Sequence, residues 1–380
     1  MQFFDNSAIN RVYVHASLQM LADTVGGVFV FAFLLKAGFA TWIVFCTLAA
    51  WSFARMIIRK TVVPAVKRYG LRTCLIFGTL VEGLGFLILS QIHSPSLLLL
   101  GYILCAAFGS CFYWSSLHTL ISILGDADKR GAQESLKQAI SALIGIVGPL
   151  LGAFLLVHFG STTAFVSAGF IQACSIATLF GIANLQIVPE ATIDPKAATN
   201  IWWIYYADGL RTVANFYIWM VALFVVLGQN FSAFGLVLAL GGVIGAIMSL
   251  GVGRMIDLGH VARAKQIATV IMAISVCLKA YGYNTPWIAV LASASTAIAF
   301  PLWGSVMMSR VYNLAQKSAC PLRFQVIGEG AWDLGVATGS SLAAALAYFG
   351  FGFFWPIMLG LFGCWLGYVT LLDDRATVRP

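Results

Sequence analysis

Residues 188–200 read VPEATIDPKAATN, a polar stretch at the midpoint of an otherwise apolar chain. Pro189 and Pro195 remove two backbone donors, and Glu190, Asp194 and Lys196 carry charge, so the segment reads as a solvated loop. A block of nearly equal length lies on either side. Displacing one block by about 190 residues aligns polar connections with polar connections and apolar runs with apolar runs. The expected organisation is two structural repeats, residues 1–187 and 204–380, joined by a cytoplasmic linker over 188–203.

Of the 380 residues, 60% are hydrophobic and 9% charged, and the mean hydropathy is +0.91. Soluble domains carry about a quarter of their residues as charges, so this composition belongs in a lipid bilayer. A spanning helix takes roughly 20 apolar residues, and the length accommodates about twelve. Their expected positions are 12–35, 40–63, 73–91, 97–120, 135–158 and 162–186, then 204–228, 232–253, 264–283, 287–311, 325–348 and 352–372. Lipid offers backbone groups no hydrogen-bond partner, so an all-α polytopic protein is the architecture such segments allow.

The net charge of +8 would suggest nucleic acid in a soluble protein, but position gives it another meaning. Lys67, Arg68, Arg72, Lys129, Arg130, Lys196, Arg254, Arg263, Lys265, Lys317, Arg323, Arg375 and Arg379 fall in alternate connections or at the tail, all on one side, while Lys36 and Lys279 fall near the other. The positive-inside rule makes the basic side cytoplasmic and puts both termini there, with a bacterial inner membrane as the expected location. Eight scattered cysteines without a CxxC pair read as packing residues, so no metal is expected. No G-x-x-x-x-G-K-[ST] loop occurs, which argues against direct use of ATP and leaves no expected cofactor. The five histidines are dispersed, which argues against an enzyme.

Three local patterns carry a resemblance. GRMIDLGHVAR places Gly253 and Asp257 in a basic connection between helices 8 and 9. VPAVKRYGLR in the equivalent connection of the first half contributes Lys67, Arg68, Gly70 and Arg72. GIVGPLLGA in helix 5 supplies Gly145, Gly148, Pro149 and Gly152, a stripe of small residues on which another helix can approach closely, with a proline able to kink the helix. With these patterns the chain resembles the major facilitator superfamily, in which twelve helices form two six-helix bundles. Leu258 and Lys67 depart from the family's loop pattern. The resemblance implies a monomeric secondary transporter that moves a small organic solute by alternating access, with protons as the coupling ion. The helix 5 pattern is the one the family associates with exporters. Proton-coupled exporters of the family often carry an Arg in helix 4 four residues before a Gly, and here that position before Gly109 is Cys105, which keeps uptake of an organic anion or amphipathic compound as the alternative.

Charged side chains at bilayer depth cost at least ~2.5 kcal/mol on insertion scales, which makes each a functional candidate. Arg55 and Arg59 share a face of helix 2, as Glu329 and Asp333 share a face of helix 11. The resemblance implies that these two helices face each other, so the four residues are expected to form a cytoplasmic gate, with a permanent structural pairing as the alternative. A helix 1 acid often couples protons in the family, which singles out Asp23, with Glu82 second. Asp208 and Arg211 sit three apart on helix 7, where an intrahelical ion pair explains them as well as solute contact does. The family's cavity helices, 1, 4, 7 and 10, bring Tyr113, Trp114, His118 and Trp303 to the solute as candidates.

Overall fold

A computed structural model describes residues 6–94, 96–125, 130–186, 193–257 and 261–372, with backbone only at 130–139, 249–257, 261–262, 264, 371–372 and a few positions between 305 and 316. The described residues form twelve helical segments and no strand. In chain order they are α1 (Ser7–Lys36), α2 (Thr41–Tyr69), α3 (Leu71–Leu89), α4 (Leu97–Leu124), α5 (Arg130–His158) and α6 (Gly160–Gly181). The second set is α7 (Pro195–Val226), α8 (Phe231–Asp257), α9 (Val261–Gly282), α10 (Pro286–Lys317), α11 (Pro321–Tyr348) and α12 (Phe354–Leu372). Nine of these described segments are by themselves long and apolar enough to cross a membrane. Ile57, Phe170, Ile247 and Tyr281 stand exposed on helix faces, as side chains solvated by lipid do.

The packing pattern repeats with an offset of six helices. In the first set α1 packs on α5 and α6, α3 on α4 and α6, and α2 on α4; in the second α7 packs on α11 and α12, α9 on α10 and α12, and α8 on α10. The two bundles then meet through α2 against α11 and α5 against α8, the same relation read in the two directions.

Close approach explains the small residues of α5. A Cβ at Gly148 would collide with Thr24, and one at Gly152 with Val25 and Phe29, so both glycines seat α1. Gly242 of α8 lies so near the Gly145 carbonyl that a Cβ there would come within 2.5 Å of it. The stripe therefore serves both the core of one bundle and the contact between bundles.

Several helix ends lie up to six residues from the sequence expectation, as α2 does in ending at Tyr69 rather than 63, and two further boundaries change what the ends touch. Residues 188–192 lie outside the described residues, but the expected linker over 188–203 is already helical from Pro195. Asp194 caps that helix, accepting from the backbone N–H groups of Lys196 and Ala197 at 3.3 Å each, and proline suits the first helical position. Buried Ile201 gives these added turns an inward face. The sixth helix ends at Gly181 rather than 186, and the residues after it brace the α2–α3 turn. Ile182 O accepts from Arg72 Nη1 at 2.7 Å, and Leu185 O accepts from Leu71 N at 2.9 Å. At that turn Gly70 has φ +82° and lies against the Asn184 side chain, which a Cβ would overlap. Asn184 Nδ2 donates to Tyr69 O at 2.8 Å, while its Oδ1 accepts from Arg72 N at 3.1 Å.

Candidate functional site

The α2–α11 contact carries a four-residue ion lattice. Arg55 and Arg59 project from adjacent turns of α2, and Glu329 and Asp333 from adjacent turns of α11, so each set aims both side chains across the boundary. Arg55 Nε lies 2.6 Å from Asp333 Oδ1 and its Nη2 3.2 Å from Glu329 Oε2. Arg59 Nη2 lies 2.7 Å from Asp333 Oδ2 and 3.6 Å from Glu329 Oε2. All four residues are buried. Two guanidinium groups facing two carboxylates make a neutral set, which is how charge survives in such a place. Arg59 Nη1 also donates to Ser115 Oγ of α4 at 3.0 Å. His118 of α4 joins the edge, with Nε2 3.7 Å from Glu329 Oε1 and Nδ1 2.9 Å from the Tyr312 hydroxyl of α10.

Beside the lattice lies a seam of aromatic rings that the sequence reading missed. The Arg55 guanidinium stands 4.6 Å from the Trp51 ring centre and 5.2 Å from that of Trp332, one ring from each bundle. Trp51 meets Tyr217 of α7 edge-on at 6.3 Å, and Tyr217 meets Phe31 of α1 at 5.8 Å. Trp51, Trp332, Tyr217 and Phe31 are only half-buried although they stand between the bundles. Trp51, Arg55 and Arg59 form an i, i+4, i+8 stripe on α2, and that spacing could have revealed the first of these rings.

Two acids of the first bundle approach the same region. Gln19 Nε2 donates to Glu82 Oε2 at 2.7 Å, tying α1 to α3. Asp23, one turn along α1 from Gln19, acts electrostatically on Glu82, and Arg55 acts on Glu82 with the opposite sign. Gly27 lies beside Asp23: a Cβ there would be in ordinary contact with its Oδ1, at 3.5 Å. Among the described residues Asp23 has no hydrogen-bonding or ion-pair partner. Asp23, Glu82 and Arg55 also act on the Tyr217 hydroxyl. Acids, arginine and aromatic seam thus share one neighbourhood.

The remaining candidates fall into separate groups. Asp208 Oδ1 accepts from Arg211 Nη2 at 2.6 Å and from Trp303 Nε1 at 3.0 Å, so these three close on one another inside the second bundle. Trp114 stacks on His118 at 5.4 Å, beside the lattice. Tyr113 is buried in the first bundle, its ring against His15 and Trp114. Lys67 and Arg68 are exposed at the end of α2, and Gly70 and Arg72 form the braced turn described above. Gly253 and Asp257 lie in the last turns of α8, where the Asp257 side chain is outside the described residues. At the far end from the lattice, Phe29 packs against Phe231 and Phe234 at 6.2 and 5.6 Å, and Lys36 Nζ donates to Gln229 O at 3.4 Å. Contacts between the bundles therefore occur at both ends of the seam.

Lys279 requires a correction. Its position near the end of α9 suggested a side chain reaching the outer membrane face, but it is fully buried. Its Nζ donates to Asn215 O at 2.7 Å and to Asn215 Oδ1 at 3.2 Å. A buried acceptor on α7 outcompetes the interface for this ammonium, and hydropathy alone cannot reveal such a partner.

Comparison with known proteins agrees with this architecture. The sequence model of the Major Facilitator Superfamily matches residues 16–319. No curated protein sequence matches the chain. Among solved structures, the chain is similar to the crystal structure of the human organic anion transporter MFSD10 (TETRAN), with a TM-score of 0.62 at 15% identity over 96% of this chain and 98% of that one.

Proposed function

Taking as premise that the chain belongs to the major facilitator superfamily and is a secondary transporter, we propose that it moves a small organic solute by alternating access, coupled to protons. The basic connections support a cytoplasmic location for the Tyr69 end of α2 and the Pro321 end of α11, which makes the ion lattice the cytoplasmic gate. The two bundles would rock about the central seam, the turns of α7 from Pro195 moving with the second bundle. The observation that carries the reading is Asp333 in contact with both Arg55 and Arg59 across the bundle boundary. Such contacts hold while the inner side is closed and separate when the bundles tilt.

Asp23 and Glu82 supply the proton sites in this scheme. They are neighbouring acids between helices, and Arg55 links Glu82 electrostatically to the gate. A change of charge on the acids then alters the balance holding Arg55 at α11. Export is the direction the glycine pattern of α5 favours. The organic anion in the description of the similar human protein is not carried over at 15% identity.

Solute flux in proteoliposomes under an imposed pH gradient tests the proposal. Flux that follows the gradient in the native protein, and ceases to follow it in Asp23→Asn, is the expected result. Flux indifferent to the gradient removes Asp23 and Glu82 from proton coupling and leaves the transporter fold intact.

A further inference from the structure

Helix α7 is not regular throughout. Residues Val213–Ile218 make a π-helical turn, which inserts extra chain into an α-helix and is frequent at functional sites. Asn215 lies inside that turn, and it is where Lys279 is bound. Both acceptors of Lys279, the Asn215 carbonyl and side-chain oxygen, belong to this one residue. Asn215 Nδ2 in turn donates to Arg211 O at 3.2 Å, so the turn is clasped from α9 and from the preceding turn of its own helix. The ammonium also stands 5.3 Å from the Trp219 ring.

The charge is costly where it is. Among the described residues no carboxylate pairs with Lys279, and the nearby charged group acting on it is Arg211, of the same sign. Asp208 is engaged with Arg211 and Trp303. A buried ammonium satisfied only by amide oxygens is not a device for stability alone, because an apolar side chain of the same length would avoid the desolvation. Its contacts are spent on the geometry of the π turn. The same turn carries Tyr217, whose ring meets Phe31 and Trp51 of the other bundle.

We propose that Lys279, although outside the central seam, is a positioning residue for it: by holding the π turn of α7 open at Asn215 it sets the rotation that places Tyr217 against the first bundle. An α-helix advances about 100° per residue. Relaxation of the π turn to α geometry therefore rotates one side of α7 against the other by about that angle. Asp208 and Arg211, before the turn, are held in the second bundle through Trp303, so Tyr217, beyond Asn215, is the group that leaves its place. The proposal includes a second claim, that Tyr217, half-buried in the seam between the bundles, contacts solute, and only that claim rests on the transport reading.

The test separates the two. Cysteines replacing Phe31 and Tyr217 in the full chain, with native cysteines replaced by alanine, are expected to be crosslinked in membranes by a short bifunctional thiol reagent that spans the space of the two rings. In the Lys279→Met background the crosslink is expected to fall by roughly tenfold, and Lys279→Arg, which keeps a donor for Asn215 O, is expected to retain it. Deleting Ala214 from the Lys279→Met variant removes the extra residue of the turn, restores register without the ammonium, and is expected to restore the crosslink. A crosslink at native yield in Lys279→Met overturns the proposal. So does a Lys279→Met chain with Ala214 deleted that still fails to crosslink, whether or not Lys279→Met alone folds. With Tyr217 intact, Lys279→Met is expected to raise KM for solute by roughly threefold to tenfold, the loss of one aromatic contact. An unchanged KM together with a lost crosslink leaves the positioning intact and removes Tyr217 from the solute site.

Discussion

Arg59 of α2 and Asp333 of α11 meet across the bundle boundary with two guanidinium nitrogens on a single carboxylate oxygen, Nε at 2.8 Å and Nη2 at 2.7 Å from Oδ2. The other oxygen of Asp333 is left for Arg55, at 2.6 Å. One fully buried carboxylate therefore holds both cations, and Glu329 contributes longer contacts of 3.2 and 3.6 Å.

This asymmetry predicts unequal effects of neutralising the two acids. Asp333→Asn leaves two buried guanidinium groups sharing Glu329 and is expected to destabilise by about 3–5 kcal/mol. Glu329→Gln removes the weaker contacts and is expected to cost about 1–3 kcal/mol. Thermal denaturation of the purified protein in detergent checks the order. The same geometry predicts that combining Arg55→Glu with Glu329→Arg will not restore function. The exchanged acid on α2 would then face Asp333, and the exchanged guanidinium on α11 would face Arg59.

A second prediction concerns the α5–α8 contact, where two facing glycines are not equivalent. A Cβ added at Gly242 comes within 2.5 Å of Gly145 O, whereas one at Gly145 meets nothing nearer than the Gly242 Cα at 3.8 Å. Gly242→Ala is expected to push the bundles apart, costing about 1–3 kcal/mol and slowing transport. Gly145→Ala is expected to be nearly neutral. Paired measurements of thermal stability and initial transport rate distinguish the two.

The α2–α3 turn supplies a third. Asn184→Ala removes the bonds to Tyr69 O and Arg72 N and is expected to cost about 1–2 kcal/mol. Gly70→Ala is expected to cost more, since φ +82° disfavours a side chain and Asn184 occupies the space. Hydrogen exchange at the N–H groups of Leu71 and Arg72 is expected to accelerate in both variants.

Proton coupling gives the fourth. Glu82→Gln keeps a partner for Gln19 and removes the charge that Arg55 acts on. It is expected to retain solute binding, measured by equilibrium dialysis, while the rate loses its dependence on an imposed pH gradient. Loss of binding together with coupling would assign Glu82 to solute contact instead.

The fold was legible because it follows from a one-dimensional quantity. Apolar runs of spanning length, interrupted by charge on alternate sides, leave twelve helices as the reading, and the spacing of Arg55, Arg59, Glu329 and Asp333 fixed which charges share a face. What stayed hidden depended on rotation about helix axes. Trp51, Tyr217 and Trp332 look like any other membrane aromatics until their neighbours are known. Lys279 lies near a helix end, where reaching the interface is the cheaper outcome unless a buried acceptor waits on another helix, as Asn215 does. The π turn of α7 is equally silent in sequence, since VANFYI favours no geometry that differs from its surroundings. Asp194–Pro195 was readable as a cap followed by a first helical residue, but the charge around it made the segment look like a loop.

The most direct test of the gate is accessibility from the cytoplasmic side. Ser115 is fully buried and accepts from Arg59, so a Ser115→Cys variant reports whether the lattice is closed. In inside-out vesicles, a membrane-impermeant thiol reagent is expected to label the introduced thiol slowly when the lattice is intact. Adding Asp333→Asn is expected to raise the labelling rate by about tenfold or more, corresponding to a shift of about 1.4 kcal/mol in the opening equilibrium. An unchanged labelling rate would mean that the ion lattice does not hold the inner side shut.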